Sequence, residues 1–293
     1  MFDIKNILEP ETINDALQLL VENPELKIIA GGTDVLIKLN HKSIKDVELL
    51  SLRKISNLDK ITMLEDGSIE IGAMVSFGQI FRDTIVEKHI KVLSEAAVSM
   101  GGPQIRNMAT IGGNVCNGAV SADSAPALFS LNSKVRLVSK SKERIIPIEE
   151  FYLGPGRVDI KSDEILISLI IEKKDYESLI GNYTKFSNRK AMDIAMVSVC
   201  VVASIENNKF SDLRIALGVA APTPIRCKDA EDYAKGLDIT EENIDEIASL
   251  AVKSSKARNS WRGSKDFRNY LIKELTKRAI EKIIKRAGEE DHE

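Results

Sequence analysis

The sequence predicts an α+β protein of two domains with a boundary near residue 177, and three observations carry this. At 293 residues the chain is long enough to bury about two cores. Up to Glu172, short β-type runs alternate with short helical ones, and glycines punctuate them. Past the polar segment 173–181 come three longer strand-like runs, and from Asp229 onward the pattern is helical, so the second half reads as a small antiparallel sheet with helices on one face.

The elements follow in order. Thr12 caps a helix to Glu22 that carries Ile13, Ala16, Leu17 and Leu20 at helical spacing. Leu26 to Ala30 is a β-type run ending on Gly31-Gly32, after which Thr33 or Asp34 caps a short helix through Leu39. Strands follow at Val47 to Leu52 and Lys60 to Leu64, and Asp66-Gly67 turns a hairpin into Ser68 to Ile71. Ser76 caps a helix carrying Phe77, Ile80 and Phe81. A second helix, Lys91 to Met100, stops at Gly101-Gly102-Pro103. Ser121 to Ser124 caps a helix from Ala125 to Leu131. Strands at Lys134 to Ser139 and Glu164 to Glu172 bracket a loop containing Gly154-Pro155-Gly156. The long strands are Tyr183 to Ser187, Val197 to Glu206 and Phe210 to Ala220, with Asn207-Asn208 as the turn between the last two. Helices at Glu241 to Lys256 and Lys265 to Ala287 complete the chain.

Composition removes several function classes. With 41 basic and 44 acidic residues and no basic block, nucleic acid is not the expected partner. The longest apolar run, Met196 to Ile205, falls short of the ~20 residues a membrane helix needs. MFDIKNILEP has no apolar core of a signal peptide. Cys116, Cys200 and Cys227 are dispersed, which excludes a four-thiolate cluster and suits a reducing cytoplasm. Only His41, His89 and His292 are present, so a histidine-built metal or triad site has little to work with. No metal site is expected, and if the protein is an enzyme its chemistry comes from an organic cofactor.

Two segments share one construction, β-type residues followed by a Gly-Gly pair and a polar residue: IIAGGTD (Ile28 to Asp34) and ATIGGN (Ala109 to Asn114). Successive amides in such turns bind anions, and Thr33, Thr110, Asn114 and Asn117 add neutral donors. Neither contains GxxxxGK[ST] or GxGxxG, so the fitting ligand is a diphosphate held by backbone amides. The plainer reading is a pair of loops. Asp123 alone reads more simply as a helix cap worth ~1 kcal/mol than as a ribose or purine contact. Cys116 and Cys200 read as small buried hydrophobes, and Trp261 with Phe267, Leu271 and Leu275 as core packing of the last helix.

Taken together, IIAGGTDVLIKL, PQIRNMATIGGNVCNGAVSADSAPAL, SDEILISLII, YTKFSNRKAMDIAMVSV, GVAAPTPIR and WRGSKDFRNYLIKELTKRAI resemble the FAD-binding medium subunit of the molybdenum hydroxylases. That class includes xanthine, nicotinate and carbon monoxide dehydrogenases. The resemblance runs in order along nearly the whole chain. It implies a two-part FAD-binding domain of the vanillyl-alcohol-oxidase (PCMH) type over residues 1–176, with subdomains of about 1–57 and 58–176. A C-terminal domain of the CO dehydrogenase flavoprotein type follows over 177–293. It implies FAD contacts at Ile28, Ile29, Ala30, Gly31, Gly32, Thr33, Asp34 and Val35, and at Thr110, Gly113, Asn114 and Asn117. Asp123, Leu166 and Lys185 would lie near the flavin or its chain. Where some members place an aromatic before GGPQIRN, this chain has Met100. The iron–sulfur loop of 4-hydroxybenzoyl-CoA reductase relatives is not expected with these cysteines.

The function so implied is electron transfer in an oxidoreductase complex. Electrons would come from a [2Fe–2S] subunit served by a molybdopterin subunit and pass through FAD to NAD+, NADP+ or another acceptor. The rival readings are a self-sufficient MurB-like reductase or oxidase and a non-catalytic nucleotide-binding protein; no His or Tyr motif supplies the acids and bases the first would need.

Overall fold

The structure is a computed structural model that describes residues 2–290, so His292 lies outside the described residues. The first unit is a three-stranded parallel sheet in the spatial order Ile4–Leu8, Val47–Ser51, Lys27–Ile29. Parallel neighbours need crossovers, and the helices Ile13–Glu22 and Val35–Asn40 supply them. Thr12 caps the first of these, its hydroxyl accepting from the Asp15 amide at 3.1 Å. That helix buries Ala16, Leu17 and Leu20 against Leu50. The strand Ile4–Leu8 has no apolar alternation to announce it, being mostly exposed, and its pairing with Val47–Ser51 is what makes it a strand.

The second unit is a five-stranded antiparallel sheet ordered Ile61–Met63, Ile69–Gly72, Ile165–Ile171, Lys134–Val138, Glu143–Pro147. The expected hairpin is present, with Gly67 at φ +81°. Short helices cover one face. Ser76 forms a full capping box with Gln79 at the start of Phe77–Arg82, and Lys91–Ser99 packs beside it. Four helices escaped the sequence reading, Thr84–His89, Pro103–Met108, Ile111–Cys116 and Ile148–Phe151. The loop expected before the strand Ile165–Ile171 holds the edge strand Glu143–Pro147 and a small ribbon, Tyr152–Gly154 with Arg157–Val158.

The third sheet is antiparallel, ordered Ile180–Phe186, Val197–Glu206, Lys209–Gly218, Ile225–Arg226. Its central turn has both Asn207 and Asn208 at positive φ, +50° and +59°, as a two-residue hairpin requires. Helices do not lie on one face only. Val199, Val201 and Ala203 face the C-terminal helices, while Cys200 and Val202 join the core of the first half beneath Lys91–Ser99 and Ala125–Ser130. The continuous apolar run of Val197–Glu206 is therefore that of a strand buried on both sides.

One expectation at the last helix, Lys265–Glu290, fails. Leu271 and Leu275 are buried, but Trp261 is 81% exposed and Phe267 is 41% exposed. Helical spacing places Phe267 on the apolar stripe, yet in the first turn it packs edge-on against Phe186 and beside Tyr270 and stays partly open. Among the described residues no helix is long and apolar enough to cross a membrane.

Leu169, fully buried in the central strand of the five-stranded sheet, anchors the first core. Leu169→Ala should destabilise the protein by about 2–5 kcal/mol through the cavity it leaves. Ser76→Ala should cost ~1 kcal/mol through the lost cap. Urea denaturation midpoints check both.

Candidate functional site

The two glycine segments are distant in sequence and touch in space. A Cβ on Gly31 would fall 1.7 Å from the Met108 carbonyl oxygen, so the first turn lies against the backbone that leads into the second. A Cβ on Gly113 would stand 2.9 Å from Thr110 Oγ1 and 3.7 Å from the Ala30 Cβ. Lys38 Nζ donates to Asn117 Oδ1 at 3.2 Å across the same junction.

Their similar sequences do different work. In the first turn Gly32 has φ +75°. Leu36 donates back to the Gly32 carbonyl, but the amides of Gly31, Gly32, Thr33, Asp34 and Val35 donate to no protein acceptor among the described residues. Asp34 stands at the helix N-cap without a side-chain cap bond, which leaves that end of Val35–Asn40 open. Successive free amides of this kind are costly in isolation and suit an anion.

The second turn is no turn. Gly112 and Gly113 lie inside a short helix, Ile111–Cys116, capped by Thr110. Its amides are taken: Ile111 donates to Val75, Gly112 to Ala73, Gly113 to Thr110 Oγ1 and Asn114 to the Thr110 carbonyl. Gly112 is glycine because a Cβ would press on Ala73, with 2.6 Å to its Cβ. The expectation of two matching amide cradles is thereby corrected. The first segment offers amides; the second offers side chains, with the Thr110 hydroxyl hydrogen and the Asn114 and Asn117 amide nitrogens still free to donate. Asn114 Oδ1 accepts from Ser124 Oγ at 2.7 Å.

Asp123 and Lys185 meet at this site from opposite halves of the chain. Lys185 Nζ stands 2.9 Å from Asp123 Oδ2 and 3.1 Å from the Ser99 carbonyl, and both side chains are over nine-tenths buried. Asp123 is therefore an ion-pair partner and not the cap of Ala125–Ser130, whose N-cap, Ser124, makes no cap bond either. Its other oxygen, Oδ1, is buried without a hydrogen-bond partner, and so is the Tyr183 hydroxyl. Burial raises the Asp123 carboxyl to about 6 against the opposing pull of Lys185 and, more weakly, of the neighbouring Tyr183 phenol. Burial and the Asp123 charge hold the Tyr183 phenol well above its usual value.

The remaining expected residues line the surroundings. Ile28 and Ile29 end the strand Lys27–Ile29, with Ala30 leading into the turn. Leu166 and Met100 are buried in the same core, Leu166 on the strand against which Ile111–Cys116 packs. Met100 also gives its carbonyl to Arg106 at 3.0 Å. Cys200 is fully buried; Cys116 is half-buried as a residue, yet burial of its thiol raises it to about 12. Lys38, Ser124 and Tyr183 were missed, since only their contacts, not their spacing, mark them.

Free amides of a glycine turn beside a buried, half-satisfied carboxylate suit a ligand that carries both an anion and a hydrogen-bond donor. Comparison with known proteins narrows it. A family profile described as the FAD binding domain in molybdopterin dehydrogenase matches residues 2–173, and one for the CO dehydrogenase flavoprotein C-terminal domain matches 182–283. The chain is 40% identical over 288 residues to the xanthine dehydrogenase FAD-binding subunit of Escherichia coli O157:H7, covering 98% of this chain and 99% of the relative. It is 30% identical to the nicotinate dehydrogenase FAD-subunit of Eubacterium barkeri, covering 80% and 81%. A chain of quinoline 2-oxidoreductase from Pseudomonas putida 86 superposes with a TM-score of 0.92 at 25% identity, covering 98% of this chain and 99% of that one. A chain of carbon monoxide dehydrogenase from Hydrogenophaga pseudoflava has the same fold, with a TM-score of 0.92 at 24% identity and the same coverage. The protein belongs to the family of FAD-binding subunits of the molybdopterin-dependent dehydrogenases, and its cofactor is FAD.

Two predictions follow from the geometry. Gly31→Ala must displace one segment from the other, so the variant should lose most of its flavin, read as the flavin-to-protein absorbance ratio; wild-type retention would show that the contact yields freely. Asp123 loses its proton near 3.8 unfolded but near 6 folded, so its contribution to stability is full below about pH 4 and declines as pH rises to 6. The decline should be roughly 3 kcal/mol in the FAD-free chain. Asp123→Asn should flatten that part of the urea-midpoint profile.

Proposed function

We propose that this chain is the flavin-holding electron-transfer subunit of a molybdenum hydroxylase complex, taking electrons from a [2Fe–2S] subunit and passing them to NAD+ or another acceptor. The observation that carries the reading is the run of unpartnered amides from Gly31 to Val35, set against the orphaned Asp123 oxygen at one site. These residues fit FAD. The amides of Gly31 to Val35 would hold the diphosphate, and the Thr33 and Thr110 hydroxyls with Asn114 and Asn117 would add neutral donors. Asp123 Oδ1 would accept from a cofactor hydroxyl or N–H. Leu166 and Met100 give an apolar wall.

FAD, when bound, supplies reversible electron storage between a one-electron donor and a two-electron acceptor. The protein's part is to fix, orient and tune it. Lys185 sets a positive charge at the site, partly neutralised by Asp123 at 2.9 Å. Molybdopterin and [2Fe–2S] groups belong, in this reading, to partner subunits, and the complex resides in the cytoplasm. Relatives bear names of that kind, such as the nicotine 6-hydroxylase medium subunit of Paenarthrobacter nicotinovorans, 28% identical over 271 residues.

The chain purified alone should show flavin bands, bleached by a reduced partner complex and left intact by the complex's small substrate alone. Bleaching by a small substrate with no partner present would instead mark a self-sufficient flavoenzyme. Lys185→Met should lower the flavin midpoint potential, because it removes a cation that favours the anionic reduced ring; an unchanged potential on redox titration would sink that role.

A further inference from the structure

The charges of Asp123 and Lys185 cancel across 2.9 Å, and titratable groups on five elements surround the pair. Tyr183 shares the strand Ile180–Phe186 with Lys185, and its hydroxyl is buried without a partner. Cys200, on Val197–Glu206, sits 3.1 Å from Ser130 Oγ. Cys116 ends the helix Ile111–Cys116, which is tied to Ser124 through Asn114. Glu95, on Lys91–Ser99, accepts from the Tyr183 amide with one oxygen and from Arg286 with the other. Arg106, on Pro103–Met108, donates to the carbonyls of Val98 and Met100.

Among these groups one is built to accept a proton. The Lys185 ammonium and the Arg106 guanidinium have no acceptor site. Burial and the Asp123 charge hold the Tyr183 phenol well above its usual value. Burial pushes the Cys116 and Cys200 thiols up to about 12. All three stay protonated near neutrality. Both Glu95 oxygens already accept. Asp123 has an oxygen, Oδ1, that accepts from nothing, and burial brings its carboxyl to about 6, close to neutrality. Its side chain keeps 9% of its surface open, which admits a proton from solvent.

Charge balance supplies the driving force. A net charge is unfavourable in so buried a place, and the pair as it stands carries none. Electrons delivered to a flavin here add negative charge beside it. At an effective dielectric of about 20, a unit negative charge within ~10 Å raises a carboxylate's proton affinity roughly tenfold. A proton on Asp123 then leaves the Lys185 charge free to oppose the new negative charge. The site is neutral before the electrons arrive and neutral after.

We propose that Asp123 takes up a proton when the bound flavin is reduced, so that Lys185 changes from a compensated to an uncompensated cation. The inference rests on the flavin reading. The two electrons come from the reduced [2Fe–2S] donor, and two protons come from solvent. One proton goes to the ring, which is left anionic; the other forms the O–H bond at Asp123 Oδ1. When the acceptor removes two electrons and the ring's proton, the Asp123 proton returns to solvent. Tyr183 is the positioning residue of this step, its unpartnered phenol oxygen standing beside the carboxyl to accept from the new O–H.

The full chain, loaded with FAD, is reduced electrochemically in an infrared cell near the Asp123 titration, which lies at about 6. The reduced-minus-oxidised spectrum should gain the C=O stretch of a protonated carboxylic acid, shifted down in D2O. Asp123→Asn should lose that band. Tyr183→Phe should keep it at a shifted frequency, because the carboxyl loses its neighbour. Redox potentiometry gives a second readout, since each proton taken up with two electrons adds about 30 mV per tenfold change in proton activity. Just above pH 6 the wild-type potential should therefore fall more steeply than about 30 mV per pH unit, toward about 60, while Asp123→Asn stays at about 30. No carboxylic band in the wild type, a band unmoved by both variants, or equal slopes in wild type and Asp123→Asn would each overturn the proposal. If Asp123→Asn holds no FAD, the wild-type spectrum and Tyr183→Phe decide it. A chain that takes up no FAD overturns the flavin reading, whereas retained FAD without the band overturns this inference alone.

Discussion

The ion pair between Asp123 and Lys185 is the constraint on which the arrangement of this protein turns. Each member comes from a different half of the chain and each is over nine-tenths buried. Taking two such charges out of water costs several kcal/mol apiece, and only close pairing with added hydrogen bonds offsets it. Lys185 has such a bond, to the Ser99 carbonyl, but Asp123 keeps an oxygen unsatisfied. The pair therefore forms only when the third sheet is docked on the helices Lys91–Ser99 and Ala125–Ser130. Docking and formation of the pair are one event, and it leaves Asp123 Oδ1 open.

Other charged contacts reinforce that docking from further out. Arg226 reaches the Phe129 carbonyl and Asn132, Arg214 pairs with Asp175 at 3.2 Å, and Arg286 joins Glu95 and the Gly181 carbonyl. All three arginines leave the C-terminal half and reach the first half or the 173–181 segment, while Arg226 and Arg214 also pair with Glu231 and Asp212 of their own half. By contrast, Lys256, Arg258, Arg262 and Arg268, in the same half, end on no acid among the described residues. The molecule neutralises the cations that hold it together and leaves charged the ones that face a cavity.

Near-identical motifs acquired separate roles through their surroundings. In IIAGGTD no neighbouring carbonyl takes the amides after the strand Lys27–Ile29, and Gly32 turns the chain with φ +75°. In ATIGGN the same letters meet Ala73 and Val75, whose carbonyls take two amides, while the Thr110 hydroxyl and carbonyl take the next two. In the first case Gly32 serves positive φ and Gly31 a close approach, and in the second Gly112 serves close packing. Neither role is visible in the dipeptide Gly-Gly itself.

Much of the fold was legible because it is local. Thr12 and Ser76 cap their helices, Asp66-Gly67 and Asn207-Asn208 turn their hairpins, and Val197–Glu206 announces itself by an unbroken apolar run. Family motifs identified the family, since they preserve order along the chain. What the sequence could not decide depended on partners remote in the chain. Ile4–Leu8 is a strand only because Val47–Ser51 lies beside it. Asp123 looked like a cap until Lys185, sixty-two residues away, claimed it. Trp261 read as core because large aromatics usually are, and only the turn closed by Ser260 and Gly263 turns it outward. Capping and patterning act over a few residues and can be read from them. Burial, charge pairing and the freedom of an amide are properties of contacts, and tertiary structure alone determines those.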